Sequence, residues 1–410
     1  MKKITPLFLL TMFAASNANA SGYQLNEYSV TGLGRAFSGS GVVGDDYSAI
    51  AFNPAGMTLK GNGIQAGLTS VEMHSDLRGR LYNAGGTDIT NGPKGRMRVY
   101  KTLPHAFGQY KVNDKFYLGL GSYTPFGLAS IYNGDWFGSS HGIKTELTVI
   151  DNALAGAYKI NDKWSIGSAI ILRYVRGDLI NALSPALPNS RNRMDLDGWG
   201  LAYNFGVMYE PVKDTRFGVA YRLNSAHTVK GNHTIRRTGA AGLDGTWDGV
   251  SQMTLPNQLT LSAFHKLNDS FGLSATARWT KWNIFDDFVM ASNRPAYVSI
   301  PEKWKNVWTY SLGVDYYYDQ KWTFRTGLSM DPSPIKNEGY RTARIPDSDR
   351  TWATLGASYK YKNMTFDFGY AHLFMKTASI HSRDHSTGTT LIGKASSLSN
   401  MYGVQFQYDF

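Results

Sequence analysis

Six short polar turns punctuate this chain at nearly even spacing, and they constrain its fold more than any other feature. They are Val112-Asn113-Asp114-Lys115, Ile160-Asn161-Asp162-Lys163, Pro211-Val212-Lys213-Asp214, Leu267-Asn268-Asp269-Ser270, Tyr318-Asp319-Gln320-Lys321 and Tyr361-Lys362-Asn363-Met364. Asn and Asp tolerate the backbone of tight turns and close hairpins. Seven longer polar connections alternate with them, near 75–96, 129–143, 181–194, 230–249, 285–302, 332–349 and 381–394. Six short and seven long connections join fourteen strands. An even count returns both chain ends to one side, and short turns alternating with long loops are the pattern of an outer-membrane barrel.

The strands alternate as a one-sided sheet requires. From Phe271 one face reads Phe271, Leu273, Ala275, Ala277, Trp279, and the other Gly272, Ser274, Thr276, Arg278. In the last strand Tyr402, Val404, Phe406, Tyr408 and Phe410 oppose Gln405, Gln407 and Asp409. A soluble sandwich alternates too, with its apolar face inward. Strand length favours the membrane, because the runs approach 10 to 16 residues. After residue 20 no stretch approaches the ~18–20 consecutive apolar residues of a membrane helix. Barrel strands keep a low mean hydropathy while their lipid face is fully apolar. The 25 Tyr, 20 Phe and 10 Trp suit interfacial girdles. Two soluble β domains would call for a linker or a composition shift, and none is visible.

The chain opens MKK, continues with an apolar run from Ile4 to Ala15, and reaches Ala18-Asn19-Ala20 before Ser21. A basic start, a short apolar run and a small-residue site predict a secretory signal peptide over 1–20. The 42 Lys and Arg against 31 Asp and Glu give a net charge of +11, and there is no cysteine. Disulfides, thiol chemistry and Cys-ligated metals are thereby excluded.

Residues 21–61 read differently from the rest. They are rich in Gly and small residues, with no sustained period of 2 or 3.6. Yet they hold buried-type Leu25, Leu33, Phe37, Ile50 and Phe52, and a rigid Asn53-Pro54-Ala55 step. Such a segment can fold inside something larger, as a plug inside the barrel of 62–410. The GYQLNE opening, the TGLGRAFSG run, Asp45-Asp46 and Asn53-Pro54-Ala55 together resemble the N-terminal hatch of the FadL family, outer-membrane transporters of long-chain fatty acids and other hydrophobic molecules. The block Tyr316–Trp352 resembles the same family. The resemblance implies a 14-stranded antiparallel transmembrane barrel in the bacterial outer membrane, crossing it many times, with the hatch in its lumen.

If the aromatic face meets lipid, Arg173, Arg222, Arg278 and Arg325 point into the lumen, and Lys305 enters its strand in the same phase. A buried cation beside an apolar channel can hold a carboxylate head group. The alternative is pairing with Asp315, or with Asp45 and Asp46. By resemblance Lys305 matches a lysine of the family's carboxylate pocket. The companion arginine falls near Asn181 and is lost, leaving Arg173 to replace it. Tyr23 is expected to touch the pocket. In the third strand, Gly119, Gly121 and Pro125-Phe126-Gly127 weaken the ladder. By resemblance this is the family's kinked strand, where substrate leaves sideways through the wall. The alternative is that Pro125 ends the strand at the outer interface. Asn53-Pro54-Ala55 is expected to pack beside the break at Pro125-Phe126-Gly127.

Other chemistries find little footing. Gly32-Leu33-Gly34 lacks the strand–helix context of a dinucleotide loop. The nine histidines have no metalloprotease spacing, and His381 with His385 sits in a polar loop; no metal or cofactor is expected. No nucleophile elbow appears, so no enzyme is expected. The loop cations Arg78, Arg80, Arg96, Arg98, Arg236, Arg237, Arg341 and Arg344 follow no aromatic groove, which argues against nucleic acid. They either neutralise lipopolysaccharide phosphates or are solvated. The leading expectation is passive uptake of long-chain fatty acids or similar hydrophobic molecules by a monomer. An aromatic-hydrocarbon channel is the alternative within the class; an outer-membrane lipid hydrolase and a surface adhesin or receptor are alternatives outside it.

Overall fold

The computed structural model describes residues 22–239, 242–293 and 298–410; the expected signal peptide at 1–20 lies outside the described residues. Nineteen strand segments form fourteen strands, because five strands run in two pieces across a short break. They are β1 (Gly63–Tyr82), β2 (Gly95–Lys111), β3 (Phe116–Ile131), β4 (Lys144–Lys159), β5 (Trp164–Asn181), β6 (Arg191–Val212) and β7 (Thr215–Asn224, then His227–Arg236). β8 (Gly245–Met253, then Gln258–Lys266), β9 (Phe271–Thr280, then Asp287–Ser292) and β10 (Val298–Pro301, then Val307–Tyr317) follow. β11 (Trp322–Asp331), β12 (Arg350–Tyr361), β13 (Met364–Met375, then Ala378–Arg383) and β14 (Thr390–Asp409) complete the ring. β1 pairs antiparallel with β2 on one side and with β14 on the other, from Gly63↔Asp409 to Tyr82↔Thr390. The sheet is therefore closed and leaves no edge for lipid to face.

The short turns fold as their sequence dictates. Asn113 Oδ1 accepts from the N–H groups of Lys115 and Phe116, both at 2.9 Å. Asn161, Asn268 and Asp319 repeat the arrangement in their own turns. The two tighter turns place Asp214 (φ 63°) and Lys362 (φ 54°) in the left-handed region, as two-residue hairpins demand. Just inside these turns the outer face carries aromatic pairs. Trp164 stacks on Tyr209 at 4.3 Å, Phe271 on Tyr316 at 5.0 Å, and Trp322 meets Tyr359 at 4.8 Å. Above them the outer face is apolar, with Leu154, Ile170, Phe205 and Leu328 exposed.

At the opposite end the strands run further than the polar segments suggest. Much of 230–249 is strand, paired as the upper parts of β7 and β8. The connection 332–349 folds inward, burying Ser333, Ile335, Ala343, Arg344, Ile345 and Asp347. The connection after β3 also turns inward, burying Trp136, Phe137 and His141.

The segment before β1 fills the lumen with two short helices, α1 (Val30–Gly34) and α2 (Ala49–Phe52), and a 3-10 turn over Pro54–Leu59. Ser29 caps α1 by accepting from Gly32 N–H at 2.8 Å. Leu33 and Ile50 are fully buried, and Tyr28 stacks on Phe52 at 4.5 Å. Ions tie this segment to the wall. Arg35 bridges Asp45 (2.6 Å) and Asp315 (2.8 Å), and Arg325 reaches the same Asp45 at 3.0 Å. Asp46 instead accepts the hydroxyls of Ser29, Thr31 and Ser48. Removing one partner from such a buried ion network costs about 3–5 kcal/mol, so the segment is held firmly against β10 and β11.

Candidate functional site: a lumen cavity and a break in the wall

β3 reads Tyr123-Thr124-Pro125-Phe126-Gly127-Leu128 at its centre, and the ladder fails there. Its register with β4 shifts between Tyr123 and Phe126. Its pairing with β2 runs only from Lys111↔Tyr117 to Ala106↔Ser122. Above that point the two strands rejoin at their outer ends, where Met97 bridges Tyr132 and Asn133 N–H donates to Arg96 O at 3.2 Å. Pro104 and Pro125 stand on either side of the gap, and neither has an N–H to offer.

Unpaired backbone at membrane depth survives only where protein covers it. The first residues of the lumen segment supply that cover. Leu25 N–H donates to Pro125 O at 2.9 Å, and Gly127 N–H donates to Tyr23 O at 2.9 Å. Tyr23–Leu25 thus acts as a short strand laid on the kink from inside.

A cavity of about 400 Å³ adjoins this stub. Its inner wall includes Tyr23, Leu25 and Met401, and it continues between β2 and β3 to the outer-face residue Ile150. The volume falls in the range of about 300–1,000 Å³ usual for small-molecule sites. A second, apolar cavity of about 60 Å³ shares Tyr23 and is lined by Leu128, Leu147, Leu179, Val229 and Met253. Among the described residues its ionisable lining groups are Tyr23, Glu146, Glu302 and Arg344.

Arg344 is 8% exposed and donates to Asn181 Oδ1 at 2.9 Å and to Thr145 Oγ1 at 3.4 Å. No carboxylate among the described residues lies within ion-pair distance of it. Glu302 accepts from Trp304 Nε1 at 3.0 Å. Burial pushes the Glu302 carboxyl up to about 8 and the Arg344 guanidinium down to about 10. The Tyr23 hydroxyl is buried without a hydrogen-bond partner. Its ring sits among Trp282 (4.7 Å), Trp304 (5.6 Å), Phe285 (5.7 Å) and Phe126 (6.2 Å). An unneutralised cation and a free hydroxyl beside apolar space fit an amphiphile with an acidic head.

The family described as "Outer membrane protein transport protein (OMPP1/FadL/TodX)" is matched over residues 11–410. The chain belongs to this family. It is 29% identical to "Outer membrane protein P1" of Haemophilus influenzae, over 100% of both chains. It is 28% identical to the "Long-chain fatty acid transport protein" of Escherichia coli strain K12, over 97% of this chain and 96% of that one. The crystal structure of a Pseudomonas aeruginosa FadL homologue superposes with a TM-score of 0.87 at 26% identity, covering 95% of this chain and 100% of the other. As a member of the OMPP1/FadL/TodX family, this chain is an outer-membrane barrel protein, and its members are transport channels.

Against this fold, the residues singled out from sequence separate. Arg173 is not available to a ligand. It is fully buried, with Nε and Nη2 on Asp151 (2.6 and 2.8 Å) and Nη1 on Asn224 (2.7 Å). Arg222 joins the same Asp151 and donates to the Tyr123 hydroxyl at 2.6 Å. The cluster props up the kink in β3, with Arg173 also stacked over Phe126 at 5.6 Å. Arg278 finds neutral partners, Asn26 and Thr260.

Lys305 also departs from expectation. The break between the two parts of β10 shifts the phase by one residue, so Glu302 and Trp304 are the buried pair. Lys305 is half-buried, its N–H donates to Pro334 O at 2.8 Å, and it lines neither cavity. Arg344, read from sequence as a solvated or lipopolysaccharide-facing loop cation, is the one that turns inward. Nothing in its local sequence announced this, because the inward fold of a long loop is set by tertiary contacts.

Asn53-Pro54-Ala55 does not pack beside the β3 break. Asn53 Oδ1 caps Ala55 N–H at 3.1 Å, and Nδ2 donates to Val207 O at 3.2 Å on β6. Glycines make this seat. A Cβ on Gly206 would lie 1.9 Å from Asn53 Oδ1, and one on Gly167 2.5 Å from Ala55 N. Tyr23, at the other end of the segment, is what meets Pro125-Phe126-Gly127.

Proposed function

We propose that this protein takes up long-chain fatty acids or similar hydrophobic acids, passively, and releases them sideways into the outer membrane between β2 and β3. In this reading residues 21–61 are the plug and 62–410 the barrel. The observation that carries it is the cavity running from Tyr23 through the unpaired strands to Ile150. Arg344 and the Tyr23 hydroxyl receive the head group, and the aromatic and aliphatic walls receive the tail. Glu302, protonated below about pH 8, leaves Arg344 free for that role. An aromatic hydrocarbon has no charge for Arg344 to meet, so the acid is favoured over that alternative. The protein acts as a channel rather than an enzyme, works as a monomer, and contacts outer-membrane lipids and lipopolysaccharide on its outer face.

The test closes the gap. Pro104 and Thr124 are the next outward step above the last paired couple, Ala106↔Ser122. The chain has no native cysteine to interfere with a Pro104→Cys, Thr124→Cys disulfide. Oxidation should abolish fatty-acid uptake by cells while the purified barrel still binds ligand, and reduction should restore uptake. Wild-type uptake by a fully oxidised variant would rule out the lateral route.

A further inference from the structure

On the outer face, on the side of the barrel away from the short turns, a groove of about 930 Å³ runs across β1, β2, β13 and β14. Arg78, Arg98, Lys394 and His381 line it, with Ile392 and Leu398 exposed between them. Arg78 and Lys394 are direct cross-strand partners. Like charges placed opposite each other on a sheet destabilise it, yet neither has an ion-pair partner among the described residues. Two acids line the groove. Asp76 is already held by Lys94 at 2.5 Å and Arg98 at 3.5 Å. Glu338 enters from the 332–349 connection. Cations remain in excess.

The height of the groove identifies its occupant. An apolar band of about 25 Å, crossed by strands tilted near 40°, takes about ten residues at roughly 3.4 Å each. Counting up from Tyr408 at the short-turn end of β14 reaches Leu398, and from Tyr110 of β2 reaches Tyr100, both exposed. Arg98 is the next outward position above Tyr100, and Lys394 the second above Leu398. The cations therefore stand just above the hydrocarbon boundary, over a column of exposed Leu398, Tyr402 and Val404 that acyl chains can cover.

We infer that this groove binds the phosphorylated head of an outer-leaflet glycolipid, with phosphate bridging Arg78 and Lys394, a second anionic oxygen on Arg98, and acyl chains lying along β14. The site rests on the proposed contact of the outer face with lipopolysaccharide, is separate from the lumen cavity and does not depend on the uptake route.

The test uses the full barrel in an uncharged maltoside detergent, its fold verified by heat-modifiable mobility. Native mass spectrometry would titrate it with bis-phosphorylated lipid A and with enzymatically dephosphorylated lipid A. The same titrations would be run on R78A/R98A/K394A, and on R236A as an exposed cation outside the groove. Wild type and R236A should bind lipid A about tenfold or more tightly than the triple variant, since each charge-assisted contact is strong. Dephosphorylated lipid A should bind all three proteins alike. Inorganic phosphate at millimolar concentration should not displace the lipid. Equal lipid A binding by wild type and the triple variant would overturn the proposal. Displacement by inorganic phosphate would also overturn it, reducing the groove to an adventitious ion site.

Discussion

Replacing Arg344 by Gln tests the proposed head-group site most directly. Arg344 lies at the junction of the apolar cavity with Glu302 and Tyr23, and its hydrogen bonds go to neutral Asn181 and Thr145. No carboxylate among the described residues is within ion-pair distance of it, and burial pushes its pKa down to about 10 against the weaker pull of Asp384 and Glu302. Removing that charge should leave the barrel at least as stable, unlike breaking a paired buried ion. A bound carboxylate changes this, because it gives the cation a partner in a site with little water. A hydrogen bond to a charged group contributes about 1.5–3 kcal/mol. At about 1.4 kcal/mol per decade, that is roughly one to two decades of affinity.

Calorimetric titration of the detergent-solubilised barrel with a C18 fatty acid, and with its methyl ester, reads the effect. The ester keeps the tail and drops the charge. Arg344→Gln should weaken the acid by about one to two decades and leave the ester within a factor of two or so. Lys305→Ala, whose side chain lines neither cavity, should leave both unchanged. Equal losses for acid and ester in the Arg344 variant would assign it to packing. A loss confined to the acid in Lys305→Ala would restore the residue that the family resemblance names.

Acid binding should also weaken as pH rises through about 8, because Glu302 then ionises, pairs with Arg344 and repels the ligand. The raised pKa means its burial favours the folded state fully below about 4.5 and loses that contribution through about 8; Glu302→Gln should flatten the affinity profile over this window. Gly206→Leu should dislodge Asn53-Pro54-Ala55, since even a Cβ there would sit 1.9 Å from Asn53 Oδ1. Planar-bilayer recording should then show a larger ion conductance from a barrel whose strand content by circular dichroism is unchanged. Lys101 of β2 reaches past β3 to pair with Glu146 of β4, and both residues line the larger cavity. Lys101→Ala should raise the initial rate of fatty-acid uptake, and a fall in rate would show the pair guiding ligand rather than barring the gap.

The barrel was legible because its signals are local. An Asn at the head of a turn makes the same two hydrogen bonds at Asn113, Asn161 and Asn268, whatever the strands do. Alternation places Arg173, Arg222, Arg278 and Arg325 inside, and all four are buried there. What alternation leaves open is which acid each cation meets. Asp151 takes Arg173 and Arg222 from two different strands, a coincidence of register that no single segment records. Counting phase through a strand also fails where the strand breaks, so alternation alone draws Lys305 inside in place of Glu302 and Trp304. Arg344 lay beyond reach for a third reason. A polar 18-residue connection looks solvated, and only the barrel mouth, with Tyr132 donating to Ala343 O at 3.0 Å, folds it inward.

Under the proposed function, the placement of Tyr23–Leu25 joins binding to release in one element. These residues line the larger cavity and also supply the backbone partners of the β3 kink. Two backbone hydrogen bonds hold the stub there, each contributing about 0.5–1.5 kcal/mol net. The aromatic cage around Tyr23 adds contacts of about 0.5–1.5 kcal/mol per ring pair beyond simple burial. An amphiphile entering that cage competes with Tyr23 for the same aromatic faces while offering its head group to the unpaired hydroxyl and to Arg344. The stub is thus held by terms small enough for a ligand tail to offset. The ionic anchors at Asp45 and the seat of Asn53-Pro54-Ala55 on Gly167 and Gly206 are not, so the rest of the plug stays put. In the proposed lateral route, movement confined to three residues beside an existing gap would open a path for a lipid-soluble molecule without opening one for ions.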